Sequence, residues 1–149
     1  MPSAQNPARF MMLVMKLSFI VASLMFVFVV ARVPTQAPQQ PVSPAFEWAV
    51  TAMALIDDVI GLNGRRFYFW MTKRVSENAR AATPLGRWMT ANVMSLAFIE
   101  SCILFGMVLH FIGANVRLVQ LLFAVGMLSL IFWSPGTPPA ADEATQLRS

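Results

Sequence analysis

A chain of 149 residues that is 57% hydrophobic and only 12% charged cannot hide its apolar surface in a water-soluble core. A domain this small keeps too high a ratio of surface to volume. At this length there is no room for a separate soluble catalytic module beside such a core, and the lone cysteine, Cys102, excludes an intrachain disulfide. The formal net charge of +4 points to phospholipid headgroups and away from nucleic acid, because the basic residues gather between apolar stretches and form no extended basic face.

Residues 1–9 form a short terminus carrying Arg9. The first apolar run spans 10–31, interrupted only by Lys16. A secretory signal peptide is the competing reading, but the run is long for one and no small-x-small cleavage site follows, which favours a retained helix. Val33 to Pro44 holds four prolines and three glutamines, the composition of an extended connector. The second run, 45–62, has the marginal length for a span and is the most polar, with Glu47 near its start and Asp57 and Asp58 near its end.

A basic connector follows over 63–87, with Arg65, Arg66, Lys73, Arg74, Arg80 and Arg87 against the single acid Glu77. Phe67, Tyr68, Phe69 and Trp70 sit between these cations. Aromatic rings beside lysine and arginine suit the headgroup layer, so part of the connector is expected to lie along a membrane surface, with Arg65, Arg66, Trp70, Lys73 and Arg74 contacting anionic headgroups. Thr83-Pro84 is read as a helix stop. The third run, 88–112, is the cleanest span. Gly113, Ala114 and Asn115 turn the chain into the fourth, 116–133, which Ser134-Pro135-Gly136 ends. The tail 137–149 is rich in proline and alanine and is expected to be disordered.

The resulting expectation is an all-α integral membrane bundle of four transmembrane helices over 10–136. Lysine and arginine gather before the first helix and between the second and third, so positive-inside topology puts the amino terminus, the basic connector and the carboxyl terminus in the cytoplasm. The location implied is the inner (plasma) membrane, crossed several times.

Glu100 stands near the middle of the third run. A charged carboxyl at that depth costs about 2.5 kcal/mol or more, so Glu100 is expected to rest protonated and to be able to exchange its proton. Two readings stay open: a proton or cation site, and a protonated glutamate hydrogen-bonding a neighbouring helix. Lys16 and the Asp57–Asp58 pair fall at similar depth in the cytoplasmic half. They are expected either to pair, which lowers the cost of both, or to snorkel separately to the interface. His110, with no second ligand type near it, reads as an interfacial cap and not a metal ligand. Ser95, Cys102, Gly106 and Gly113 form a small-residue stripe for close helix packing against helix four or one. The eleven methionines are scattered through all four runs as adaptable packing. No cofactor, metal set, phosphate loop or nucleophile–base pair is spelled out, so no enzyme activity is expected.

The stretch from Ser95 to Gly106 resembles the carboxylate-bearing helix of proton-translocating rotor-ring (c-type) subunits of ATP synthases, in an A-x-x-E-x-x-x-x-x-G arrangement carried here by Ala97, Glu100 and Gly106. The continuation through His110 to Gly113, a short turn and a last helix ending in Trp-x-Pro resembles a group of uncharacterised small four-helix bacterial membrane proteins. The first resemblance implies that Glu100 carries an ion and Gly106 permits close approach. It covers one helix. The glycine-rich packing repeat of rotor subunits is lacking from the first helix, and the acid lies on the third. Two functions therefore remain in view: a structural or accessory subunit, alone as a homo-oligomer or beside other membrane subunits, and ion translocation through Glu100.

Overall fold

The computed structural model describes residues 5–33, 42–75 and 83–139, with side chains given for most of these. Among them the chain is all-helical, in five helices: α1 (Gln5–Arg32), α2 (Pro44–Leu62), α3 (Gly64–Val75), α4 (Pro84–Phe111) and α5 (Val116–Phe132). Four of these correspond to the four apolar runs.

The fifth, α3, lies inside the basic connector. Asn63 explains how it starts. Its N–H and side-chain amide both bond back to the Val59 carbonyl and close α2, while its own carbonyl accepts the Phe67 N–H at 3.1 Å and opens α3. One residue therefore ends one helix and begins the next.

Thr83-Pro84 starts a helix; its reading as a stop bears on residues 76–82, which lie outside the described residues. The Thr83 hydroxyl accepts the Gly86 N–H at 3.1 Å, and Pro84 stands in the first turn, where its missing N–H is not needed. Helix α4 consequently begins before the expected Trp88. Ser43 and Pro44 open α2 by the same device, and Asn115 caps α5 by accepting the Arg117 N–H at 3.0 Å. At the other end of α4, the Ala114 N–H reaches back to Leu109 and the Gly113 N–H to His110, a Schellman closure that needs the left-handed backbone Gly113 supplies, at φ +74°.

Helix α4 is the centre, and every other helix packs on it. Its buried residues run from Trp88 and Asn92 through Ser95, Ile99 and Cys102 to Gly106 and Leu109, one broad stripe along the whole helix. Glycines set the spacing of the neighbours. A Cβ on Gly61 of α2 would stand 2.9 Å from the Ile99 nitrogen and from the Ser95 oxygen, so the two backbones are nearly in contact. On the α5 side, Gly106 faces Leu122 and Gly126 faces Ile103. One apolar cluster joins Ala54, Cys102, Leu109, Val119 and Leu122; a second joins Leu96, Ile99, Ile103, Leu130 and Trp133, onto which α1 lays Met15, Phe19, Ile20 and Phe26.

The helices alternate in direction. Glu47 at the start of α2 accepts the Asn115 N–H ahead of α5 (3.1 Å), and His110 Nε2 lies 3.1 Å from the Val33 carbonyl after α1, which places the ring proton on Nε2. These contacts define the turn end of the bundle. Helix α3, the start of α4 and the close of α5 define the opposite, α3 end.

The outside is apolar. Phe10, Leu17, Met25 and Phe28 on α1, Trp48, Ile56 and Val59 on α2, Val108 on α4 and Leu128 and Phe132 on α5 are all exposed. Two helices, over Pro7–Arg32 and Pro84–Phe111, are long and apolar enough to cross a membrane, and Val116–Phe132 is a shorter apolar helix.

Gly61→Ala is expected to lower stability by about 1 to 3 kcal/mol, because rigid backbone faces the new methyl. Gly106→Ala, which meets the Leu122 Cβ at 3.2 Å, is expected to cost less. Thermal unfolding of both variants in mild detergent gives the order.

Candidate functional site

The polar groups of the interior collect where α1, α2, α4 and α5 meet, toward the α3 end. Lys16, on α1, sends its ammonium to the close of α5, where Nζ donates to the carbonyls of Ile131 at 2.7 Å and Trp133 at 2.8 Å. The last carbonyls of a helix have no partner of their own and carry the negative end of its dipole, so a cation there meets both needs at once.

The expected pairing of Lys16 with Asp57 or Asp58 is therefore not what the structure contains. Each aspartate has turned to a serine instead. Asp57 Oδ2 lies 3.2 Å from Ser101 Oγ of α4, but that hydroxyl has one proton and a shorter bond, 2.7 Å, to the Phe98 carbonyl. Asp58 Oδ2 accepts from Ser129 Oγ of α5 at 2.7 Å. Asp58 belongs to the inward stripe of α2 with Thr51, Ala54 and Gly61 and is only 3% exposed. Its second oxygen, Oδ1, has no hydrogen-bond partner among the described residues.

Glu100 stands beside this group on the flank of α4. The helical repeat turns it about 100° from Ile99, out of the middle of the buried stripe, and it is half-buried. It makes no hydrogen bond to the described residues. The two serines near it on the same helix are occupied: Ser95 donates to the Ala91 carbonyl at 3.0 Å, and Ser101 faces α2.

The small-residue stripe divides among several neighbours. Ser95 meets Gly61 and Gly64, Cys102 is buried with Sγ 3.6 Å from the Leu122 carbonyl, and Gly106 meets α5; Gly113 lies beyond the helix in the turn. Of the headgroup candidates, Arg65, Arg66 and Trp70 are exposed on α3. Lys73 and Arg74 follow on the same helix, but their side chains lie outside the described residues, as do Glu77, Arg80 and the tail beyond 139. Gly136, at φ +65°, comes so close to the Arg65 guanidinium that a Cβ would collide with it, so the segment after α5 folds back over α3.

Sequence reasoning missed Ser129 and Ser101 as partners and Glu47 as the tie to the α5 cap. A serine set in the otherwise apolar run of α5 is the one signal that could have drawn attention to Ser129. A further polar group sits at the start of α4, where Asn92 Nδ2 donates to the Trp88 carbonyl at 2.7 Å, while Asn92 Oδ1, Trp88 Nε1 and Arg87 Nε lack partners among the described residues. Those residues contain no group of three or more metal-ligand side chains. No protein-family model, curated protein or solved structure matches the chain.

Lys16→Met is expected to destabilise the bundle by about 1 to 3 kcal/mol, because it strands two carbonyls. In a double-mutant cycle with Asp57→Asn the two effects should add within about 0.5 kcal/mol; strong coupling would restore the ion pair.

Proposed function

We propose that this chain is a four-span protein of the inner (plasma) membrane, with both ends and the α3 connector in the cytoplasm, acting as a structural or accessory subunit of a membrane assembly. The observation that carries this reading is the inversion of the surface: large apolar side chains on all four long helices point outward, while serine, asparagine and aspartate are held inside. A soluble monomer seldom exposes apolar surface on that scale, whereas lipid accepts it without cost.

Dimensions support the same placement. At 28 residues each, α1 and α4 are about 42 Å long, more than a hydrocarbon core of about 30 Å, and α2, at 19 residues, is about 28 Å. Helix α5, with 17 residues, is about 25 Å and relies on Lys16 to receive its last carbonyls. Arg65, Arg66 and Trp70, with Lys73 and Arg74 after them, put cations and an aromatic ring at one end, where anionic headgroups are their natural partners. The accessory role draws on the first helix: among its described side chains α1 fully buries Met12 and Ser23 and leaves most of its length to lipid or to another subunit.

Ion translocation through Glu100, in the manner of the rotor subunits its helix resembles, is the second reading. The observation in its favour is a half-buried carboxyl without a hydrogen bond to the described residues.

Two measurements test these readings. Because Cys102 is buried, it is a silent background for labelling. Val116→Cys should react with a membrane-impermeant maleimide from outside intact cells and Arg66→Cys only after permeabilisation; the reverse pattern overturns the topology. Native mass spectrometry of detergent-extracted protein should find it at fixed ratio with other chains. A homo-oligomeric ring whose ion flux is abolished by Glu100→Gln would instead establish translocation.

A further inference from the structure

Among the described residues, the carboxyl most completely enclosed by this bundle is that of Asp58, and its surroundings define what it can hold. It sits on the inward stripe of α2 between Ala54 and Gly61, where that helix is closest to α4, and α5 covers it from the third side through Ser129. A carboxylate with one oxygen bonded to a serine and the other without a partner among the described residues is a costly arrangement in an apolar interior, because an ionised group there needs a counter-charge or a full set of donors.

Among the described residues, none of the surrounding helices brings a hydrogen-bonded counter-charge. On α2 itself the neighbouring Asp57 is turned toward Ser101. On α4 the Cys102 thiol lies against the Leu122 carbonyl. Helix α5 offers only the Ser129 hydroxyl, and α3 carries Arg65 and Arg66 at the surface. The one cation of α1 within the bundle, Lys16, is committed to the Ile131 and Trp133 carbonyls.

We propose that Asp58 is a proton-binding site of the bundle, in which Oδ1 carries the proton and Oδ2 remains the carbonyl-type oxygen that accepts from Ser129. A metal cation fits less well, since hard cations require several oxygen ligands and Asp58 itself offers a single unengaged oxygen, Oδ1. The site is distinct from Glu100, on a different helix and on the inward face, and it stands whether or not the protein serves a larger assembly.

Infrared spectroscopy of the full chain in phosphatidylcholine vesicles, with isotope-labelled aspartate to separate aspartate from glutamate bands, tests the assignment. A protonated aspartate C=O band is expected at neutral pH in the wild type and in Glu100→Gln, and it should be lost in Asp58→Asn. Ser129→Ala should move the band to higher frequency, because the C=O loses its donor; this decides the matter alone if Asp58→Asn fails to fold. Replacing choline by sodium at constant pH should leave the band unchanged. Absence of the band in the wild type, survival in Asp58→Asn, no shift in Ser129→Ala, or loss on adding sodium would each overturn the proposal.

Discussion

Close approach to α4 is the constraint on which the rest of the structure depends. Lipid tails are as apolar as leucine, so helices in a bilayer gain little by merely hiding hydrocarbon from their surroundings; dispersion contact and a few interior hydrogen bonds must hold them together. Gly61 and Gly64 let α2 and α3 come to the backbone of α4 around Ser95 and Ile99, and Gly106 and Gly126 do the same between α4 and α5. Helix α1 has no such glycine contact and packs with large side chains onto an assembled surface. The bundle therefore has a tightly joined set of α2, α3, α4 and α5 and a more loosely applied first helix.

The interior hydrogen bonds follow from the same closeness. Ser101 and Ser129 have side chains too short to reach far, and they meet Asp57 and Asp58 only because the helices are so near. Lys16 works differently: its long stem bridges from the peripheral α1 to the end of α5, so a flexible side chain compensates for a wider gap. Glu47 and His110 repeat this pattern at the turn end, each attaching a side chain to the backbone group that a helix terminus leaves open.

Much of the fold was legible because apolar runs and caps are local signals. The four runs became α1, α2, α4 and α5, and Asn115 and Gly113 marked the turn between the last two. Thr83-Pro84 has a second meaning that run lengths do not reveal: a dipeptide that can stop a helix before it also starts one after it, through the capping bond. Helix α3 was hidden by its charge, since four cations in twelve residues leave an apolar run of only five, Phe67 to Met71, too short to announce a helix. The interior polar contacts were the least legible part. Depth along the axis placed Lys16 near the aspartates, but depth says nothing of azimuth, and it was azimuth that gave Asp58 to Ser129 and Lys16 to the end of α5.

The shared residue between α2 and α3 has a mechanical consequence. Because Asn63 closes one helix and opens the other, with bonds to Val59 behind it and Phe67 ahead, there is no slack at this corner. The two helices form a bent lever: α3, with its arginines and Trp70, is the arm that would rest among headgroups, and α2 is the arm that carries Asp58 inward. A change in how deeply α3 floats, through lipid charge or a docking partner, would bear through Asn63 on the helix that carries Asp58. The surface of the bundle and the chemistry of its interior would then be joined by one continuous piece of chain.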